Sequence, residues 1–224
     1  MTSNATHSTR EQIFQRLEQA QKTASNAEQI KQHADELIVQ NSLYAPLLSE
    51  NVADAFVERI NQGKLIGTTC SVIGSFNELP AAVSIFLEKN ELAKQVYAQK
   101  TSNFENIEWG DIANLGMNID GNKDNCVAVS VADCGIAETG SVVFHSGENN
   151  PVLINYLGLY QIIVIEKNSI VKTMDDYALS VDSANPPRNT IWITGASGTT
   201  DIEGVLVQGA HGPCQLHIIV VDED

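Results

Sequence analysis

Glu138, Asp201 and His211 are the residues of this chain whose types and settings suit acid–base chemistry. Glu138 lies in the turn Ala137-Glu138-Thr139-Gly140, Asp201 follows Thr199-Thr200, and His211 opens His211-Gly212-Pro213. Two carboxylates and an imidazole exchange protons near neutral pH when burial or mutual repulsion shifts their pKa values. Close to two of them in sequence is a glycine loop, Gly195-Ala196-Ser197-Gly198-Thr199. Such a loop leaves backbone N–H groups free, and free donors at the positive end of a helix hold anions. The ligand-binding candidates are accordingly Thr139, Gly140, Gly195, Ser197, Gly198, Thr199 and Thr200.

Most of these residues also have a structural alternative. Thr200 and Glu203 stand three apart, the spacing of a capping box in which the hydroxyl and the carboxylate each satisfy a backbone N–H of a helix start. Asp201 would then lie where a negative charge favours the helix dipole. His211 can brace a turn through a ring N–H. Glu138, after an apolar strand, lacks so ready a structural role. Metal binding is not expected, because no His-x-His or His-Glu-x-x-His spacing occurs and His7, His33, His145 and His217 fall in unrelated contexts. Cys70, Cys126, Cys134 and Cys214 are far apart, without the Cys-x-x-Cys pairs of zinc ribbons and iron–sulfur clusters.

The elements that must position these residues follow from periodicity. Ile13, Phe14 and Leu17, then Ile30, Ala34, Leu37 and Ile38, then Val52, Phe56 and Ile60 recur at helical spacing, and Gly63 ends the third stripe. From there strands and helices alternate. Residues 64–73 read as extended, 79–89 as a helix with Pro80 in its first turn, and 94–98 as a strand. Runs at 126–131, 141–145, 161–165, 191–194 and 216–221 read as further strands, with a helical stretch at 151–157, while 103–125 is polar and irregular. The chain therefore divides into a helical region, residues 1–62, and an α/β domain, residues 63–224. Alternation of this kind predicts a layered, mostly parallel sheet, whose ligands sit beyond the carboxyl ends of the strands.

Composition narrows the function classes. With 224 residues, 43% of them hydrophobic, the chain can bury one sizeable core. Its net charge of −15 argues against nucleic acid, which needs clustered cations, and against acidic membrane surfaces. No apolar run approaches the ~20 residues of a spanning helix, and the first ten residues lack a secretory apolar region. A cytoplasmic location is expected.

Taken in order, Ala137-Glu138-Thr139-Gly140, Thr199-Thr200-Asp201-Ile202-Glu203 and His211-Gly212-Pro213, with Ile170-Val171 between the first two, resemble the LUD domain of the lactate-utilisation protein C family. The resemblance runs from about Glu50 to the C-terminus. It implies a three-layer α/β/α fold like that of the NagB/RpiA/CoA-transferase-like superfamily, some of whose members use a glutamate as an acyl-accepting nucleophile. It implies an accessory role in oxidation of L-lactate or a related 2-hydroxy acid to pyruvate, beside iron–sulfur subunits and with no cofactor of its own. The chain departs from the family in its glycine loop: where relatives read Gly-Pro-Ser-Arg (or Lys)-Thr, this one has Ala196 and Gly198, and so loses a charge-assisted contact to an anion. That departure keeps open a stand-alone enzyme or ligand-binding protein for a small anionic metabolite, of acyl-transfer or cyclo-ligase-like activity.

Overall fold

Six parallel strands form the centre of the computed structural model, which describes residues 9–22, 26–40, 49–110, 112–115, 126–147, 152–182, 184–200 and 203–223. Across the sheet the order is β1 (Thr68–Ile73), β12 (Gln215–Val221), β7 (Tyr160–Glu166), β4 (Val127–Val131), β2 (Val96–Ala98) and β3 (Ala113–Leu115). The nearly continuous apolar run of β12 fits a strand covered on both faces. Leu216, Ile218 and Val220 point to one face, and Ile219 and Val221 to the other, joining separate buried clusters.

Helices α4 (Leu79–Lys89) and α5 (Ser102–Glu105) cover the second of these faces, through Leu79, Val83, Phe86, Leu87 and Phe104. Trp109 is buried there and donates its indole N–H to the Phe104 carbonyl at 3.0 Å, so it belongs to the core. The other face carries α3 (Val52–Asn61), with Phe56 and Ile60 buried. It also carries a second sheet in the order β8 (Ile170–Val171), β5 (Cys134–Ile136), β6 (Ser141–His145) and β9 (Thr190–Ile193). The third layer is thus a helix with a small mixed sheet. Short helices α6 (Ile154–Leu157) and α7 (Met174–Ser180) complete this region, and β10 (Gly198–Thr200) pairs with β11 (Leu206–Gln208) as a separate antiparallel hairpin.

Residues 1–45 and 46–224 are two compact units. The first holds α1 (Thr9–Lys22) and α2 (Ala27–Gln40), matching the first two stripes. The third stripe, α3, lies in the second unit and contacts β1 and β8. Its start is capped by Asn51, which accepts from the N–H groups of Ala53 and Asp54. Its last residue, Asn61, closes the outer edge of β1: the side-chain amide donates to the Cys70 carbonyl at 3.2 Å and accepts from the Cys70 N–H at 3.0 Å. An open strand edge is a template for pairing with another chain, and this amide occupies it.

Candidate functional site

Between β5 and β6 the chain turns through Glu138, Thr139 and Gly140. Gly140 has φ +71°, and a Cβ there would lie 3.2 Å from Arg59 Cγ, Ile60 Cγ1 and Leu65 Cδ1, so the turn needs glycine for both its dihedral and its neighbours. Thr139 Oγ1 lies 2.7 Å from Ser141 Oγ, which lies 2.6 Å from Thr194 Oγ1. This hydroxyl chain joins the turn to the end of β9. Gly195 follows with φ +87°, and its Cβ would sit 3.3 Å from Thr68 Oγ1 and 3.4 Å from Leu65 Cβ. The Thr139-Gly140 turn and the start of the glycine loop therefore both lie against Leu65.

The meeting place is the amino edge of the main sheet, not the expected carboxyl edge. Ala196 N–H donates to the Ile66 carbonyl and to Thr68 Oγ1, just before and at the start of β1, and Ser197 N–H donates to the Pro213 carbonyl, just before β12. The reason lies in the second sheet: after β4 reaches the carboxyl edge, β5 carries the chain back to the C-terminal end of α3. At the carboxyl edge stand the Lys167–Asp222 ion pair and a hollow of about 470 Å³ beside Asn51.

Two expectations for the loop are overturned. The amides of Ala196 and Ser197 are engaged within the protein, so they do not form an open anion cradle. The helix expected after Thr200 does not form either: Gly198, Thr199 and Thr200 pair with Gln208, Val207 and Leu206, and all six residues are exposed. Val205, Leu206 and Val207 favour extended backbone. Gly204 and Gly209, at φ +81° and +80°, place left-handed residues on either side of that segment, which a helix would not accommodate.

Glu138 has the structural partner that its sequence context did not reveal. Its carboxylate accepts from the Met174 N–H at 3.1 Å, and its own N–H donates to the Lys172 carbonyl at 3.0 Å. Met174 is the first residue of α7, whose capping box is built by Thr173 and Asp176, so Glu138 adds a second acceptor to the same helix start. His211 is exposed in the loop before β12 and makes no hydrogen bond among the described residues, while its neighbour Gly212 lies against Ser197. His211 thus belongs beside the glycine loop, and the Glu138 carboxylate is directed to α7. Asp201 lies outside the described residues.

Sequence reasoning passed over two residues with chemistry. Arg59 reaches the Thr139-Gly140 turn from α3, and its Nε is buried with no hydrogen-bond partner among the described residues. It brings to this turn a guanidinium of the kind that the glycine loop lacks at Gly198. The second is His217, on the α4 face of β12. Thr69 Oγ1 lies 2.7 Å from its Nδ1 and Ser71 Oγ 3.0 Å from its Nε2, and its ring stacks on Phe86 with centroids 5.3 Å apart. Burial, and secondarily the charge of Lys89, push its pKa down to about 4. Neither was legible, since each depends on a neighbour distant in the chain.

The four cysteines stand on or beside separate elements. Burial pushes the Cys70 thiol up to about 12 and raises Cys126 and Cys134 as well, so these three are protonated, weakly nucleophilic thiols at neutral pH. Among the described residues there is no group of three or more His, Cys, Asp or Glu side chains arranged to hold a metal ion, and no helix is long and apolar enough to cross a membrane.

Residues 22–221 match the LUD domain family. The chain belongs to that family. Lactate utilization protein C of Anoxybacillus flavithermus is 29% identical to this LUD-domain chain over 198 residues, covering 82% of each. The protein of the same name from Oceanobacillus iheyensis is 32% identical over 170 residues, 66% of this chain and 72% of that one. Among solved structures, a DUF162 family protein from Deinococcus radiodurans superposes with a TM-score of 0.52 at 21% identity, over 79% of this LUD-domain chain and 99% of that one. The likeness establishes a shared α/β fold.

Proposed function

We propose that this LUD-domain protein is an accessory protein in the oxidation of L-lactate, or a related 2-hydroxy acid, to pyruvate, working with iron–sulfur subunits supplied by other chains. The observation that carries the reading is its similarity, along most of its length, to proteins named lactate utilization protein C. The site supports it chemically. Arg59 and the chain of hydroxyls from Thr139 through Ser141 to Thr194 offer a carboxylate one guanidinium and the one O–H that the chain's two internal bonds leave free, a charge-assisted set. In this reading Asp201 and His211 are the acid–base candidates, Glu138 ties the turn to the start of α7, and Gly195, Ser197, Gly198, Thr199 and Thr200 shape the pocket wall. The redox step falls to a partner, since the cysteines here are dispersed over separate elements.

Complementation tests this. In a bacterium whose own lactate utilization protein C has been deleted, the chain should restore growth on L-lactate, and Arg59→Gln should abolish the rescue while the protein still accumulates. Continued failure to grow, with folded protein present, overturns the reading. The second reading, a stand-alone enzyme or binding protein for another small anion, is favoured by the altered glycine loop. It predicts no rescue and a binding site whose affinity for small carboxylates or phosphates still depends on Arg59.

A further inference from the structure

A cavity of about 730 Å³ runs along β1 from its amino end, between that strand, the start of β12 and the C-terminal half of α4. Its size lies within the roughly 300–1,000 Å³ of sites that enclose drug-sized ligands, far more than a three-carbon acid fills. One wall is apolar, from Ile66, Val72, Ile73, Ala82, Ile85 and Phe86. Thr69, Ser71 and His217 form a polar cluster in it, with Lys89 and Asn90 at the end of α4, and Thr68, Gln208 and Gln215 add further polar lining. The chain carries 28 acidic residues, yet among the described residues none lines this cavity. Lys89 is the lysine of the lining and, among the described residues, has no ion-pair partner. An acidic protein that keeps carboxylates away from one apolar-walled cavity and places a cation in it has the charge pattern of an anion site.

The imidazole sets the donors. A neutral imidazole donates from one nitrogen and accepts at the other. Of its two hydroxyl neighbours, one therefore gives its proton to the ring, and the other receives the ring N–H and keeps its own O–H for a ligand. Thr69 is the exposed one of the pair and Ser71 the half-buried one, which fits Ser71 donating to Nε2 and Thr69 presenting a free donor to the cavity. The stacked Phe86 ring holds the imidazole plane in place.

We propose that this cavity binds an organic monocarboxylate with an extended apolar or aromatic body, its carboxylate received by Lys89 and by the Thr69 hydroxyl that His217 orients. Phe86, Ile85 and Ile66 take the body. The site uses none of the residues assigned to the 2-hydroxy acid, so its test and the growth test fail separately.

Isothermal titration of the full chain with 4-phenylbutyrate, and with the uncharged 4-phenylbutan-1-ol for comparison, decides the matter. The acid should bind at one site, with the alcohol about tenfold weaker for want of the charge-assisted contacts. Lys89→Gln should reduce acid affinity about tenfold and leave the alcohol unchanged. Ile85→Asp, which puts a carboxylate on the apolar wall, should weaken both. Lys89 and Ile85 are exposed, so neither substitution threatens folding. No saturable binding of the acid, equal binding of acid and alcohol, or a variant that binds like the parent overturns the proposal.

Discussion

His217 is held neutral in the folded protein, at a pKa of about 4 against its ordinary 6.5, first by burial and then by Lys89. In the unfolded chain it takes a proton near pH 6.5, which the folded protein refuses until about pH 4. Stability is therefore full above pH 6.5 and lost as the pH falls between these values, by at most about 3 kcal/mol from this group. Denaturant titrations at pH 7.5 and 4.5 should show that loss, and His217→Gln should shrink it; an unchanged pH slope would mean that the imidazole is not held neutral. Glu138 invites a second comparison. Glu138→Gln keeps an acceptor for the Met174 N–H and should preserve the melting temperature, while Glu138→Ala leaves that donor without its partner and should cost about 1 kcal/mol. If Gln also abolishes the growth rescue without loss of stability, the carboxylate acts through its charge.

At the scale of elements, the turns are less forgiving than the strands. Gly195→Val asks a β-branched residue to adopt φ +87° within 3.3 Å of Thr68 Oγ1, and thermal melts should show a loss of at least about 1–3 kcal/mol. A variant that melts like the parent would deny the turn its special conformation. The edge of β1 offers another test. Asn61→Ala removes two contacts to the Cys70 backbone and leaves a parallel edge uncovered. Sedimentation velocity should reveal concentration-dependent association absent from the parent, because unpaired strand edges recruit other strands. Purely monomeric behaviour would show that the edge is protected by something besides this amide.

Taken whole, the molecule is a strongly acidic chain in two compact units. Deleting residues 1–45 should leave the mixed α/β far-UV signal of residues 46–224, since α3, the helix that the main sheet needs, lies in the second unit. A fully unfolded product would make the first two helices part of the folding core. The net charge of −15 predicts no nucleic-acid binding at physiological salt, and a gel shift at sub-micromolar protein would contradict it.

Local pattern decided the main framework. The bounds of β6 and α4 were legible to the residue, the first as a short β-branched run and the second as a helix with Pro80 in its first turn. So was the parallel class of the sheet, since strands separated by helices can return only by crossovers. The motif turns were legible as turns, but the side of the sheet they occupy was not. That depended on β5 and β6 folding back over the main sheet to bring Gly140 against Arg59, 81 residues away in the chain. The β10–β11 hairpin escaped for a related reason: a three-residue spacing suited a helix cap, while Val205 to Val207 and their flanking glycines favoured a ladder. His217 and Glu138 show the limit most plainly. Their partners lie 148 and 36 residues away, and hydrogen bonds closed over such distances leave no trace in the local sequence, because only the assembled sheet brings the atoms within reach.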